Sequence, residues 1–182
     1  MSDAKIAKYT LFNFLTIGCN AFASLVVTAI IARWLAPEAM GTYSLVTFFF
    51  TMAAILVNLG LVTTTMKYMA EALGRDDKAE AGGILAHGLR QIALNGAIVT
   101  AGWLAVIPWV ERAYHQHALG AYMGVAAAVI LPSALMALLT AALQGLQRYG
   151  QVAMATATYT VLLTIGTLVA LMMGAGIGGL LV

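Results

Sequence analysis

Apolar residues run along this chain in five long, nearly uninterrupted stretches, at about residues 9–32, 42–66, 91–110, 119–143 and 152–173, and the polar residues gather in the gaps between them. The gaps are short at ARWLAPEAMG, ERAYHQHA and QGLQRYGQ, and long only at KYMAEALGRDDKAEAGGILAHGLR. A hydrocarbon core about 30 Å thick needs roughly 20 apolar residues of helix, because a backbone amide left unpaired in lipid costs several kcal/mol. Each stretch meets that length. A barrel strand needs about half as many residues and alternates apolar with polar ones, which these runs do not. The pattern predicts an all-α, polytopic transmembrane helical bundle with about five complete spans. Beyond the fifth, GAGIGGLLV turns at a glycine cluster and opens another apolar run, read as the start of a sixth helix in a longer chain, the alternative being a five-helix protein with a short apolar C-terminus.

The long polar gap changes the picture at its end. Through LGRDDKAEAGGILAHGLR the charges alternate in sign among Ala and Leu, which predicts a helix continuous with the third span despite Gly82, Gly83 and Gly88. The N-terminus raises a different question, because Lys5 and Lys8 precede an apolar run and LTIGCN is similar to a lipoprotein cleavage site. Thr16 stands where such sites carry Leu, and the run continues well past Cys19, so the segment reads as a span and not as a cleaved signal.

Composition agrees with the pattern: 62% of the 182 residues are hydrophobic and 9% charged, against about 25% charged in soluble domains. One Cys excludes an internal disulfide framework, and a net charge of +2 gives no basic footprint for nucleic acid. Charge placement then sets an orientation. With the N-terminus in the cytoplasm, the inner segments hold Lys5, Lys8, Lys67, Arg75, Lys78, Arg90 and Arg148 and the outer ones only Arg33 and Arg112. That is a clear positive-inside bias, expected of a multi-pass protein of the cytoplasmic (inner) membrane.

No formal charge lies near the centre of any span. The polar residues there form stripes at 100° per residue: Asn13, Asn20 and Ser24; Ser44, Thr47, Thr51 and Asn58; and Ser133, Thr140, Gln144 and Gln147. Such stripes serve either as interhelical hydrogen-bond glue, at about 1 kcal/mol or less each, or as the neutral wall of a polar cavity. Asn13, Asn20, Asn58, Asn95 and Gln144 are the candidate substrate donors and acceptors. In the first gap Pro37 suits the first turn of a new helix, Glu38 meets the positive end of that helix's dipole, and Gly41 admits close approach of neighbouring backbone. Arg33 reads either as a guanidinium snorkelling to the headgroups beside Trp34 or as a fork at a cavity mouth, able to grip a pyrophosphate or acidic sugar. Pro132 removes a backbone hydrogen bond from the fourth span, as a kink or as mere shape. Gly120 and Gly124 are spaced for close helix packing. His115 and His117 sit in a short loop without Cys or an acidic cluster, so they read as surface residues and not metal ligands. No Ser/His/Asp set, phosphate-binding glycine loop or intramembrane carboxylate pair is present, and neither an enzyme nor a cofactor is expected.

Three segments carry a family resemblance. ARWLAPEAMGTYSL after the first span resembles the signature of polysaccharide transporters in the multidrug/oligosaccharidyl-lipid/polysaccharide exporter superfamily, the Wzx-type O-antigen flippases and their relatives. KYMAEALGRDDKAEAG resembles that family's aromatic-hydrophobic-Ala-Glu stretch with its following charged helix. LLTAALQGLQRYG resembles its Leu-rich segment ending in an Arg-containing turn, where Arg148 falls as a shaping residue beside Pro37, Gly41 and Pro132. The resemblance implies twelve to fourteen helices in two bundles around a central cavity, residues 1–182 supplying the N-terminal bundle. It implies alternating-access export of an oligosaccharide carried on undecaprenyl pyrophosphate, for lipopolysaccharide O-antigen or other surface glycan. Membrane lipid and neighbouring glycan polymerases or glycosyltransferases are the partners it suggests. Two alternatives stay open: a cation-coupled multidrug exporter of the same superfamily, which needs an intramembrane carboxylate, and a non-transporting scaffold subunit of a glycan-synthesis complex.

Overall fold

The computed structural model describes residues 14, 18, 21, 22, 24–33, 37–114 and 117–172. The helices run α1 (Ser24–Arg33), α2 (Pro37–Asn58), α3 (Leu61–Gly74), α4 (Lys78–Tyr114), α5 (His117–Gly145) and α6 (Tyr149–Met172), with no strand among the described residues. Four apolar segments are long enough to cross a membrane: α2 with α3, α4, α5 and α6. The expected first span is described in full only over α1. The second expected span, residues 42–66, is not one helix: it begins earlier, at Pro37, and is interrupted between Asn58 and Leu61.

α5 is the central helix and has no polar face, as befits a helix with neighbours on several sides. Leu119, Met123, Ala126, Ala127, Ile130, Ala134, Leu138, Ala141 and Ala142 are all buried along it. Around it pack α2, α3 and α4, and Val46, Ala53 and Val57 of α2 with Ile92, Trp103 and Val110 of α4 complete one core. Among the described residues α6 packs mainly against α5 and is largely exposed. The outward residues are large and apolar, among them Phe48, Ile98, Trp109, Met154 and Leu162, a surface suited to lipid.

Glycines decide how closely the helices approach. A Cβ at Gly96 would lie 2.6 Å from Leu131 Cδ1, one at Gly88 would lie 3.0 Å from Thr65 Oγ1, and one at Gly145 would lie 3.0 Å from the Met66 carbonyl. Gly120 lies against the Glu111 carboxylate, as close packing requires, whereas Gly124 has open space beside it. Gly41 departs from expectation: it sits on an exposed face of α2, and no described residue comes within 4 Å of the position a Cβ would take.

α4 has 37 residues, about 55 Å of helix, well beyond a hydrocarbon core of about 30 Å. The polar segment after the second span is thus continuous with the third span, as the charge pattern predicts, but only from Lys78. The start is fixed by Asp77, whose Oδ1 accepts the Glu80 N–H at 2.8 Å as an N-cap. The Glu80 carboxylate in turn takes Arg75 Nη2 at 2.9 and 3.1 Å.

The two turns at this basic end share one geometry. After α3, the Asp76 N–H reaches the Leu73 carbonyl and the Asp77 N–H the Ala72 carbonyl; after α5, the Gln147 N–H reaches Gln144 and the Arg148 N–H reaches Leu143. Both are Schellman closures, and the left-handed residue that usually is Gly is Asp76 (φ 58) in one and Gln147 (φ 57) in the other. Arg148 then serves as the first acceptor of α6, from the Val152 N–H. A left-handed conformation costs a side-chain-bearing residue roughly 1–2 kcal/mol, partly offset by glycine's greater freedom in the unfolded chain. Asp76→Gly and Gln147→Gly should each stabilise the bundle by about 0.5–1 kcal/mol, read as a raised thermal midpoint in detergent. A lowered midpoint would show that these side chains make contacts worth more than the strain.

Candidate functional site

From Ala39 to Met66 the chain carries no charge, so an unbroken helix is what composition favours. The structure breaks it at Leu59 and Gly60, which take φ values of 36° and 81°. The last bond of α2 runs from the Leu59 N–H to the Ile55 carbonyl, and the first of α3 from the Thr64 N–H to the Gly60 carbonyl, both 3.0 Å. The N–H groups of Leu61, Val62 and Thr63 precede that first bond, and Gly60 has no side chain to cap them. Gly60 stands seven residues before Lys67, about 10 Å along a helix, so the break lies inside the apolar run and nearer its basic end.

Three amides gather at the break. Asn95 on α4 donates from Nδ2 to the Val57 carbonyl at 3.2 Å, across the helix interface, and its Oδ1 accepts from Gln91 Nε2 at 3.1 Å. Asn58 donates from Nδ2 to the Ala54 carbonyl at 2.8 Å, while its Oδ1 is buried without a partner. Leu59 is 68% exposed and Gly60 is exposed as well. Irregular backbone at membrane depth is tolerated where it is packed in protein or lines a water-filled space, not where it faces lipid. The left-handed leucine adds about 1–2 kcal/mol of strain, and a glycine in an unbroken helix would cost about 1 kcal/mol against Ala. The broken and continuous forms therefore carry penalties of similar size.

The structure brings Asn58 and Asn95 together and leaves the other candidates apart. Asn13 and Asn20 lie outside the described residues. Arg33 is exposed at the end of α1, and Gln144 is half-buried near the end of α5, one turn before Arg148. Pro37 is the first residue of α2 with Glu38 in its first turn, as expected. Pro132 lies inside an α5 that continues through it, with Ser133 Oγ donating to the Ile130 carbonyl at 2.8 Å; a second internal proline, Pro108, sits in α4. The hydroxyl stripes bond along their own helices: Thr51 to the Thr47 carbonyl and Thr140 to the Met136 carbonyl. Ser44, Thr47 and Thr51 face outward from the core.

Two features escape a reading by sequence. Gln91 orients Asn95, and Trp103, 8% exposed, donates from Nε1 to the Met123 carbonyl at 2.9 Å while meeting Phe49 edge-on at 6.4 Å. The signal available for the break was Asn-Leu-Gly inside an apolar run, since Asn and Gly both favour left-handed backbone.

Long apolar helices in a bundle, one of them broken within its apolar run, define a multi-pass membrane protein. Residues 30–182 match the family described as polysaccharide biosynthesis protein, and the chain belongs to that family. No curated relative and no solved structure matches it.

Proposed function

We propose that this protein is a flippase that moves a lipid-linked oligosaccharide or polysaccharide precursor, of the undecaprenyl-pyrophosphate type, across the cytoplasmic membrane by alternating access. The observation that carries the reading is the α2–α3 break: in a member of a polysaccharide biosynthesis family, it presents backbone and amide groups at membrane depth, where a polar substrate would pass. Sugar hydroxyls both donate and accept, and Asn58, with its unpartnered Oδ1, suits them. The basic end, with Lys67, Arg75, Lys78, Arg90 and Arg148, faces the cytoplasm on this reading, and Arg33 stands at the exit side. Every carboxylate among the described residues lies at a helix end or in the α3–α4 turn, which favours a lipid-linked cargo over ion-coupled drug export.

The test is complementation, by the full-length gene, of cells blocked in exporting their lipid-linked glycan. Surface glycan should return and the precursor should stop accumulating on the inner leaflet; continued accumulation at normal protein levels would overturn the reading. In the same assay Arg33→Lys should keep part of the export. Arg33→Ala should lose roughly tenfold or more, matching a charge-assisted bond of about 1.5–3 kcal/mol. Full export by Arg33→Ala would reduce Arg33 to an interface anchor.

A further inference from the structure

We propose that the Asn58–Gly60 break is a two-state hinge latched by Asn95, a device that rests on the transporter reading for its purpose but not for its physical test. The carbonyl that Asn95 Nδ2 holds, that of Val57, is the one the Leu61 N–H would take if α2 and α3 joined into one helix. Straightening therefore exchanges an interhelical bond for helical bonds at Leu61, Val62 and Thr63. It also frees Leu59 from its left-handed conformation, and sets against these gains a glycine in a helix interior. Set against the regained bonds and the relieved strain are the latch, the glycine and the separate packing of α2 and α3 against α4 and α5, and this opposition is what a switchable element needs.

The packing identifies the body that moves. α3 is held backbone-close: Gly145 leaves room for the Met66 carbonyl and Met69 Cβ, and Gly88 for Thr65. α2 meets the core through the side chains of Phe49, edge-on to Trp103, and of Val46, Ala53 and Val57, and its backbone is held at the Val57 carbonyl by the Asn95 latch. Side-chain contacts of this kind can repack as a helix tilts. The α2 segment before the break thus swings while α3 stays with α4 and α5. Gln91, donating from Nε2 to Asn95 Oδ1, holds the latch residue in register.

The test is pulsed electron–electron distance measurement between spin labels at Thr51 and Glu71, both exposed, on full-length protein with Cys19→Ser in nanodiscs without glycan. One continuous helix places these positions about 30 Å apart along its axis, and the broken form places them closer. The wild-type distribution should contain both components. Gly60→Ala and Asn95→Leu should each move the population ratio at least threefold toward the longer distance, and Leu59→Gly should move it at least threefold toward the shorter. A single distance that all three substitutions leave unchanged would overturn the hinge. Should Gly60→Ala fail to fold, the opposed shifts of Asn95→Leu and Leu59→Gly decide the matter, and their absence sinks the proposal. Failure of the flippase reading would appear separately, as lost complementation with the two distances intact.

Discussion

Trp103→Ala should destabilise the bundle by about 3 kcal/mol, at the low end of what removing a buried tryptophan costs in soluble proteins. The low end applies because an unpacked helix would keep its indole in lipid, so the water-transfer part of that cost drops out. What remains is the cavity at the junction of α2, α4 and α5, the edge-on contact with Phe49, and the hydrogen bond to the Met123 carbonyl. Trp103→Phe separates these contributions. It keeps most of the volume and an aromatic partner for Phe49 but gives up the N–H donor, at about 1 kcal/mol. Thermal or denaturant-induced unfolding in detergent reads both variants. Equal losses for Phe and Ala would mean that the hydrogen bond, and not the volume, holds the junction.

A comparable loss, about 3 kcal/mol, is expected of Gly145→Leu, at the upper end of overpacking penalties because the neighbour is backbone and cannot rotate away. A Cβ there lies 3.0 Å from the Met66 carbonyl and 3.1 Å from Met69 Cβ. Alanine asks the neighbours to give by a few tenths of an ångström, whereas leucine forces α3 and α5 apart and unseats the helix that the hinge needs fixed. Gly145→Ala should therefore be intermediate. Gly41→Ala, with nothing within 4 Å, should be neutral or slightly stabilising. Size-exclusion profiles after stepwise heating rank the three. A monodisperse, wild-type-like Gly145→Leu would show that the α3–α5 crossing is not a fixed contact.

The sequence by itself determined the class of the protein and most of its helices. Spans must be helical because lipid offers no partner for the backbone, so run length and Pro37 placed the start of α2, while the helix expected from Leu73 begins at Lys78 and the span expected from about Val152 begins at Tyr149. The three segments that carry the resemblance lie within residues 30–182, which match the polysaccharide biosynthesis family, a broader group than the Wzx-type branch that the resemblance named. Only the tertiary structure decided which polar residues meet. Helical periodicity places Asn58 on a stripe with Ser44, Thr47 and Thr51, yet those hydroxyls face outward while Asn58 lies at a break completed by Asn95, far along the chain. Likewise Gly41 and Gly145 look alike in sequence, and only the helix crossing gives one of them open space and the other a carbonyl at contact distance. The physical reason is common to both cases. Local patterns fix the hydrogen bonding a segment makes with itself, but whether a helix runs through Leu59 and Gly60 turns on small opposing penalties, and a bond from a neighbouring helix tips that balance.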